Sequence, residues 1–329
     1  RRFSIEMNED GKGYPIYRMN ELHNMLCDIQ VNKYADITDD EYQRFALKDR
    51  DVLFNRTNSF EWVGRTGVYY QHDEIKRTFA SYLVRLNPIE NTILPEYLCA
   101  FLNTQQSVTD IKRRARQSIN QTNVNPEEVK EIDIPLLSMK FQLEIKDCFI
   151  KANEKRIESQ AYYSKAKELL NNELSLINFI PENKKFNIKQ LKESFGKSGR
   201  LDAEYYQQKY QDYEKHIIKY KGGIETVGNI CTLNDKNYNP TKTTEYKYIE
   251  LSDIGSLGEI TGFTTSIGSD LPSRARRLIR KNDVIVSSIE GSLQSVALVT
   301  DEFDNAICST GFYVVKSDTI NSETLLVLF

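Results

Sequence analysis

The chain is poor in the residues that usually build catalytic and metal sites. It has three histidines, His23, His72 and His216, in 329 residues, and no two of them stand at ligand spacing. Its five cysteines, Cys27, Cys99, Cys148, Cys231 and Cys308, are scattered, and none forms a C-x-x-C pair. Zinc and redox motifs are therefore unsupported. An odd, dispersed cysteine set points instead to a reducing, cytoplasmic setting. Cys99 and Cys148 lie in apolar helical patterns, which predicts two buried thiols acting as small hydrophobes. Long apolar runs are also missing. The longest, such as Val284-Ile-Val286, are strand-sized, far short of the roughly 20 residues that span a bilayer. No membrane partner is expected. An excess of positive charge is missing too: 44 Lys+Arg face 47 Asp+Glu, a net charge of −3. Taken globally this argues against nucleic acid, because phosphate binding needs a basic surface. A global sum can hide a local patch, so the distribution of charge matters more.

What is present is a stretch that occurs twice. Tyr14-Pro-Ile-Tyr-Arg-Met-Asn-Glu-Leu22 lines up with Tyr246-Lys-Tyr-Ile-Glu-Leu-Ser-Asp-Ile254 at a shift of 232 residues. Leu47-Lys-Asp-Arg-Asp-Val-Leu-Phe54 lines up with Ile279-Arg-Lys-Asn-Asp-Val-Ile-Val286 at the same shift. Ala80–Arg85 then meets Thr310–Val315 at 230, and Glu96–Leu102 meets Glu323–Phe329 at 227. The order is preserved and the period is too long for a solenoid or a propeller blade. It reads as one domain built twice, which suits a ligand with two similar but unlike halves. The length has room for two domains, each with its own core.

The first copy reads as strands and turns, with β-type runs at Asp51–Phe54 and Ser81–Leu86. A helix opening with Pro95 follows, then a polar and basic stretch over 103–125, whose basic cluster suits a groove-facing loop, then a short strand, Ile132-Asp-Ile-Pro-Leu136. Residues 138–178 contain neither glycine nor proline, and apolar or small residues recur at helical steps: Ile145, Phe149, Ala152, Tyr163, Ala166, Leu170, Ile177. This predicts a long amphipathic helix whose seam is interrupted at Arg156 and Ser159. Pro181 opens an Asn/Lys-rich linker, and 200–220 carry a short helical segment. The chain opens Arg1-Arg2-Phe3 and stops where a second long helix is expected, so it reads as trimmed at both ends.

Several pieces resemble the specificity subunits of type I restriction-modification systems. They are Gly11–Asn20, Asp51-Val-Leu-Phe-Asn-Arg-Thr-Asn58, Val63-Gly-Arg-Thr66, Ser118-Ile-Asn-Gln-Thr-Asn-Val124, Ile132–Pro135 before a long helix, Arg200-Leu-Asp-Ala-Glu-Tyr-Tyr206 and Asp283–Val286. The resemblance covers nearly the whole chain. It implies an α+β architecture: two mixed α/β target recognition domains related by the internal repeat and joined by the long helix. The first domain would be 1–137, incomplete at its front, the helix 138–180, a linker and short helix 181–223, and the second domain 224–329, incomplete at its end. The resemblance also implies the partners: double-stranded DNA with a bipartite target, modification methyltransferase subunits and restriction subunits. The specificity chain would do no chemistry and hold no cofactor, with S-adenosylmethionine, ATP and Mg on the partner subunits. The alternative is the C-terminal recognition module of a single-chain type IIG-like enzyme, although no Asn-Pro-Pro-Tyr-type methyltransferase motif is present.

Candidate DNA contacts follow from residue chemistry. Cations suit phosphates, Arg can grip guanine, and Asn or Gln can grip adenine. The first cluster is Lys112, Arg113, Arg114 and Arg116, with Gln117, Asn120 and Asn123. Its alternative is a solvated helix face with a polar cap. The second is Arg274, Arg276 and Arg277, followed by Arg280 and Lys281; the matching segment of the first copy, Glu41–Ala46, is far less basic. That difference fits unlike half-sites, or ordinary drift of a surface loop. The loops after the repeated strands hold Arg56, Asn58 and Arg65 in one copy and Ser288 and Ser292 in the other. They suit close backbone approach to phosphate, or are hairpin turns. Arg18 and Glu250 occupy equivalent positions and could read guanine and cytosine, or be plain surface residues. Trp62 and the 19 tyrosines are read mainly as core and surface residues of β-rich domains, with base stacking as the alternative. Asp39-Asp40-Glu41 reads as a helix start or a solvated turn rather than an acid–base pair.

Overall fold

Val52-Leu-Phe-Asn55 forms a strand buried at every position. Its alternate side chains enter different cores, as expected of a strand covered on both faces. Leu53 packs with Tyr17, Leu22, Leu47, Tyr69 and Leu83. Phe54 packs with Leu98, Leu102 and Ile111, and Val52 with Val68, Cys99 and Phe149. The computed structural model describes residues 7–89, 91–119, 121–182, 184 and 186–329. The chain is mixed α/β and divides into two units, Arg1–Glu158 and Ser159–Phe329.

In the first unit Val52–Asn55 pairs antiparallel with Leu83–Leu86 and with Thr66–Val68, and the sheet continues to Leu26–Cys27 and Leu22–His23. A second sheet contains Tyr14–Tyr17, which pairs antiparallel with Tyr34–Ala35 and parallel with Thr78–Phe79. Helix Pro95–Leu102 covers the first sheet. A small third sheet joins Thr57–Asn58, Thr122–Asn123 and Arg116–Gln117.

In the second unit Val284–Ser287 pairs antiparallel with Phe312–Lys316 and Val296–Leu298. Thr232–Leu233 adds a strand beside Phe312–Lys316. The other sheet contains Glu245–Ile249, antiparallel to Thr264–Ile267 and parallel to Ile307–Ser309, with Ala275–Leu278 at its edge. Ile285 enters a core of Ile249, Ile279, Val299, Phe303 and Phe312. Val284 packs on the other face against Leu325 and Leu326 of helix Ser322–Leu328, together with Tyr163.

The turns that launch the central strands have the same hydrogen bonds. The Lys48 N–H donates to the Asp51 carboxylate at 2.9 Å, and the Arg280 N–H to the Asp283 carboxylate at 2.8 Å. Arg50 and Asn282 both take a left-handed conformation, φ 66° and 70°. Tyr69 N–H donates to Asp51 O at 2.8 Å, and Val299 N–H to Asp283 O at 2.9 Å. A second turn has its own matching bonds. Arg18 N–H donates to the Glu21 carboxylate at 2.7 Å, and Glu250 N–H to that of Asp253 at 2.8 Å.

Helix Met139–Glu173 has 35 residues, about 50 Å at the usual rise. It ends short of the expected 178–180. Ser175 turns left-handed at φ 53°, and the Leu176 N–H reaches back to Asn171 O at 2.8 Å, a closed C-terminal turn. The seam does not lapse at Arg156, which ion-pairs with Asp28 at 3.5 Å and donates to Cys27 O at 3.3 Å. Polar side chains with partners can occupy a covered stripe, so counting apolar residues alone misplaces the interruption.

Three further expectations need correction. Cys148 is exposed while Cys99 is buried, because Phe149 takes the inward position on the helix. Ile132–Leu136 is not a strand: it joins no ladder among the described residues. Pro135 lacks an N–H, and its carbonyl accepts from the Tyr97 hydroxyl at 2.7 Å. The basic segment after residue 103 is not a loop. Gln105–Arg114 is a helix capped by Thr104, whose hydroxyl accepts from the Ser107 N–H at 3.3 Å. The acids Asp39, Asp40 and Glu41 fill the first turn of helix Asp39–Phe45, where Thr38 and Glu41 form a capping box.

Candidate nucleic-acid interface

In the first unit the basic cluster occupies the last turn of helix Gln105–Arg114 and the hairpin beyond it. The four cations are not equivalent. Arg114 is drawn inward: its Nε donates to Asp110 at 2.8 Å and its Nη2 to Glu131 O at 3.0 Å. Arg113 shares Asp110, at 2.5 Å, yet its side chain is 72% exposed. One carboxylate thus serves two guanidiniums, and those bonds hold the Asp110 carboxyl below its ordinary range. Arg116 and Gln117 lie exposed on the hairpin with no side-chain partner among the described residues. Lys112 sits over the Phe60 ring at 5.1 Å. Asn120 falls outside the described residues.

The hairpin is tied to the loop after the central strand. Arg56 donates to Asn123 Oδ1 at 3.2 Å, and Asn123 Nδ2 donates to the Thr57 hydroxyl at 2.7 Å. Asn58 caps the next turn, its Oδ1 accepting from the Ser59 N–H at 2.8 Å. Gly64 closes that loop. Its φ is 89°, and a Cβ there would lie 2.6 Å from Ile111 Cγ2, so only glycine fits. Arg65 lies flat against Trp62, 3.4 Å from the ring centroid, and burial lowers its pKa. Arg18 is ion-paired with Glu21 in its own turn. The structure therefore brings Arg56, Asn58, Arg65, Arg116 and Gln117 on connected loops and the hairpin beside Lys112 in the last turn of the helix, and turns Arg114 toward packing.

In the second unit the edge strand Ala275–Leu278 carries the arginines. Arg276 donates to Asn239 Oδ1 at 3.3 Å, and Arg277 to Asn237 Oδ1 at 2.7 Å. Amide partners orient the guanidiniums without neutralising them, so their charge stays available to a phosphate or a guanine edge. Arg274 differs, since it pairs with Glu250 at 2.5 Å and with the Tyr248 hydroxyl at 3.3 Å. Glu250 is therefore held by a cation, as Arg18 is by Glu21. Ser288 and Ser292 use their hydroxyls to hold the loop: Ser288 donates to Gly311 O at 2.9 Å and Ser292 to Ile289 O at 3.0 Å. Asn237 and Asn239 were absent from the sequence-based candidates. Their signal was the stretch Asn234-Asp-Lys-Asn-Tyr-Asn-Pro240, whose amides precede a proline turn.

Among the described residues no group of three or more metal-ligating side chains is assembled, and no helix is long and apolar enough to cross a membrane.

The chain is thus a two-unit mixed α/β protein with polar and basic loops presented from strand scaffolds. No protein-family model matches it. It is 29% identical over 143 residues to the putative type I restriction enzyme MjaX specificity subunit of Methanocaldococcus jannaschii, covering 43% of this chain and 33% of that protein. It is 25% identical over 181 residues to the EcoKI specificity subunit of Escherichia coli K12, covering 54% of this chain and 37% of that one. Both matches are to proteins named as type I restriction specificity subunits. The matches span about a third of the length of those relatives, 33% and 37%. Among solved structures, the HsdS subunit of Thermoanaerobacter tengcongensis is 34% identical over 30% of this chain and 27% of that one, with a TM-score of 0.29. The type I S subunit of M. genitalium aligns over 98% of this chain and 73% of that one at 11% identity, with a TM-score of 0.36.

Proposed function

We propose that this chain is the sequence-reading component of a type I restriction-modification enzyme, its two units acting as target recognition domains for the two halves of a bipartite duplex target. The observation that carries this reading is similarity to two proteins that are both named as specificity subunits. The matched turns before Val52 and Val284 support a common domain plan. Among the segments present in both units, the Ala275–Leu278 edge is basic, whereas the matching Glu41–Ala46 is far less so. A shared turn geometry with an unlike basic segment is what two readers of unlike half-sites need. The relatives are named as subunits, which favours a separate specificity chain over a fused enzyme. On this reading the chain does no chemistry. It positions methyltransferase and restriction subunits on DNA, and those partners carry S-adenosylmethionine, ATP and Mg.

Selection from randomised duplex DNA, with the chain assembled on its methyltransferase subunit, tests this directly. The expected result is a two-part motif with a fixed gap. Binding with no enriched motif would exclude the reading.

A further inference from the structure

The tip loops that follow the two central strands share a feature that phosphate binding does not explain. Each exposes two large apolar side chains. In the first unit Phe60 and Trp62 are 42% and 43% exposed, while Val63 between Trp62 and Gly64 is buried. In the second unit Ile289 and Leu293 are 47% and 61% exposed. Both loops are closed from within, so the exposure is not that of a slack segment. Ser59 O accepts from Trp62 N–H at 3.2 Å and Val63 N–H at 3.0 Å. The Ser287 and Ser292 hydroxyls meet at 2.9 Å, and Ser292 N–H donates to Ile289 O at 3.1 Å. Cations flank the aromatic pair: Arg65 covers one face of the Trp62 indole, and Lys112 lies over Phe60. In the second unit the Ser288 N–H bonds Gly311 O at 2.9 Å, which ties that loop to the neighbouring turn.

We propose that these loops are wedges: Trp62 with Phe60, and Leu293 with Ile289, enter stacked base steps of their own half-sites and partly unstack them. This deepens the reading above and rests on it. Apolar and aromatic side chains inserted between base steps kink a duplex and stack on bases whatever their identity. In the first unit the flanking cations would hold the phosphates beside the opened step. Arg65 occupies one indole face and leaves the other for a base, so the ring is oriented before DNA arrives.

Trp62 is the only tryptophan in the chain, which makes the test direct. The full chain is mixed with duplexes selected as above, with 2-aminopurine placed through each half-site. Binding is followed separately by anisotropy. Trp62 emission is expected to be quenched by duplexes carrying the first half-site and unchanged by those carrying the second alone. 2-Aminopurine should brighten at one step in each half-site. Trp62→Ala should abolish the signal in the first half-site and Leu293→Ala that in the second, each weakening its own half-site about ten- to a hundred-fold. Trp62→Phe should retain the first signal, separating loss of the wedge from loss of fold. If the chain selects no duplex, the DNA-reading function falls and the wedge with it. If it selects a two-part motif while Trp62 emission and 2-aminopurine stay unchanged on binding, the wedge alone is overturned. Weaker binding by Trp62→Ala without an unstacking signal overturns it as well, since that is groove contact.

Discussion

The two units build one turn with the same backbone bonds and brace it with different chemistry. In the first, Arg50 reaches from its left-handed position to Glu96, which is fully buried, with bonds of 2.8 and 2.7 Å. Tyr70 adds a third bond to that carboxylate at 3.0 Å. Burial alone would raise the Glu96 pKa, but these bonds outweigh it and the net shift is downward. In the second unit the residue at the matching turn position is Asn282, whose side chain braces nothing among the described residues; its carbonyl accepts from the Ser322 hydroxyl at 2.7 Å. The turn carboxylates differ in the same sense. Asp51 is paired with Arg85 at 3.1 Å, whereas Asp283 is buried and its pKa is raised by that burial. Backbone geometry is thus common to the two units, while the side chains that tie the helix to the turn are charged in one and neutral in the other. A shared geometry constrains φ and hydrogen bonds; it leaves the bracing free to vary.

The comparison breaks most visibly at the helix braces. Glu96→Ala strands Arg50 and should cost the first unit about 3–5 kcal/mol, whereas Ser322→Ala should cost the second about 1 kcal/mol. Calorimetry of the two variants measures the gap, and equal losses would refute the contrast. Core truncation should instead show the units as alike. Leu53→Ala and Ile285→Ala empty positions buried to 0% exposure in both strands, and each should cost about 2–5 kcal/mol in urea unfolding. On DNA, Arg276→Ala or Arg277→Ala should reduce discrimination by about 1–3 kcal/mol in the second half-site only. A shift in the other half-site would reverse the assignment of units to half-sites. Arg113→Ala, by contrast, should weaken all sequences alike and lower the salt slope by about one phosphate.

The smallest effect is a pH dependence. The raised pKa of Asp283 means that its charged form is disfavoured in the folded unit. Its stabilising share is complete below the ordinary aspartate range and is lost as pH rises through the raised folded value. Asp283→Asn should therefore be neutral or stabilising at pH 7 and flatten the second unit's stability just above that range. Asp51→Asn, which loses the Arg85 partner, should destabilise. Unfolding of Asp283→Asn beside the unsubstituted protein from pH 4 to 7 measures this, and parallel profiles would refute the raised pKa of Asp283.

Much of this was legible in the residues. Asp51-Val-Leu-Phe and Asp283-Val-Ile-Val announced buried strands by composition, and Pro95 marked the start of a helix at its first position. The glycine- and proline-free stretch from 138 announced a long helix. The basic clusters were visible as clusters. Their internal division was not: Arg113 and Arg114 are neighbours in sequence, yet one is exposed and the other turned inward onto Glu131 O. Which face a helical residue presents depends on what packs against the helix, and Glu131 lies beyond the following hairpin. The place of Arg156 in the covered stripe needed Asp28 and the Cys27 carbonyl, more than a hundred residues earlier in the chain.

The sequence by itself determined the central strands at Asp51–Phe54 and Asp283–Val286 and the helices that begin at Pro95 and after 138, because these depend on side-chain branching, proline placement and apolar periodicity. Only the tertiary structure decided which cations remain available to a ligand. Arg114, Arg274 and Arg18 are paired with carboxylates, while Arg276 and Arg277 are held by neutral oxygens. An arginine's residual charge is set by the partner that folding brings to it, and for Arg274, Arg276 and Arg277 that partner comes from more than twenty residues away.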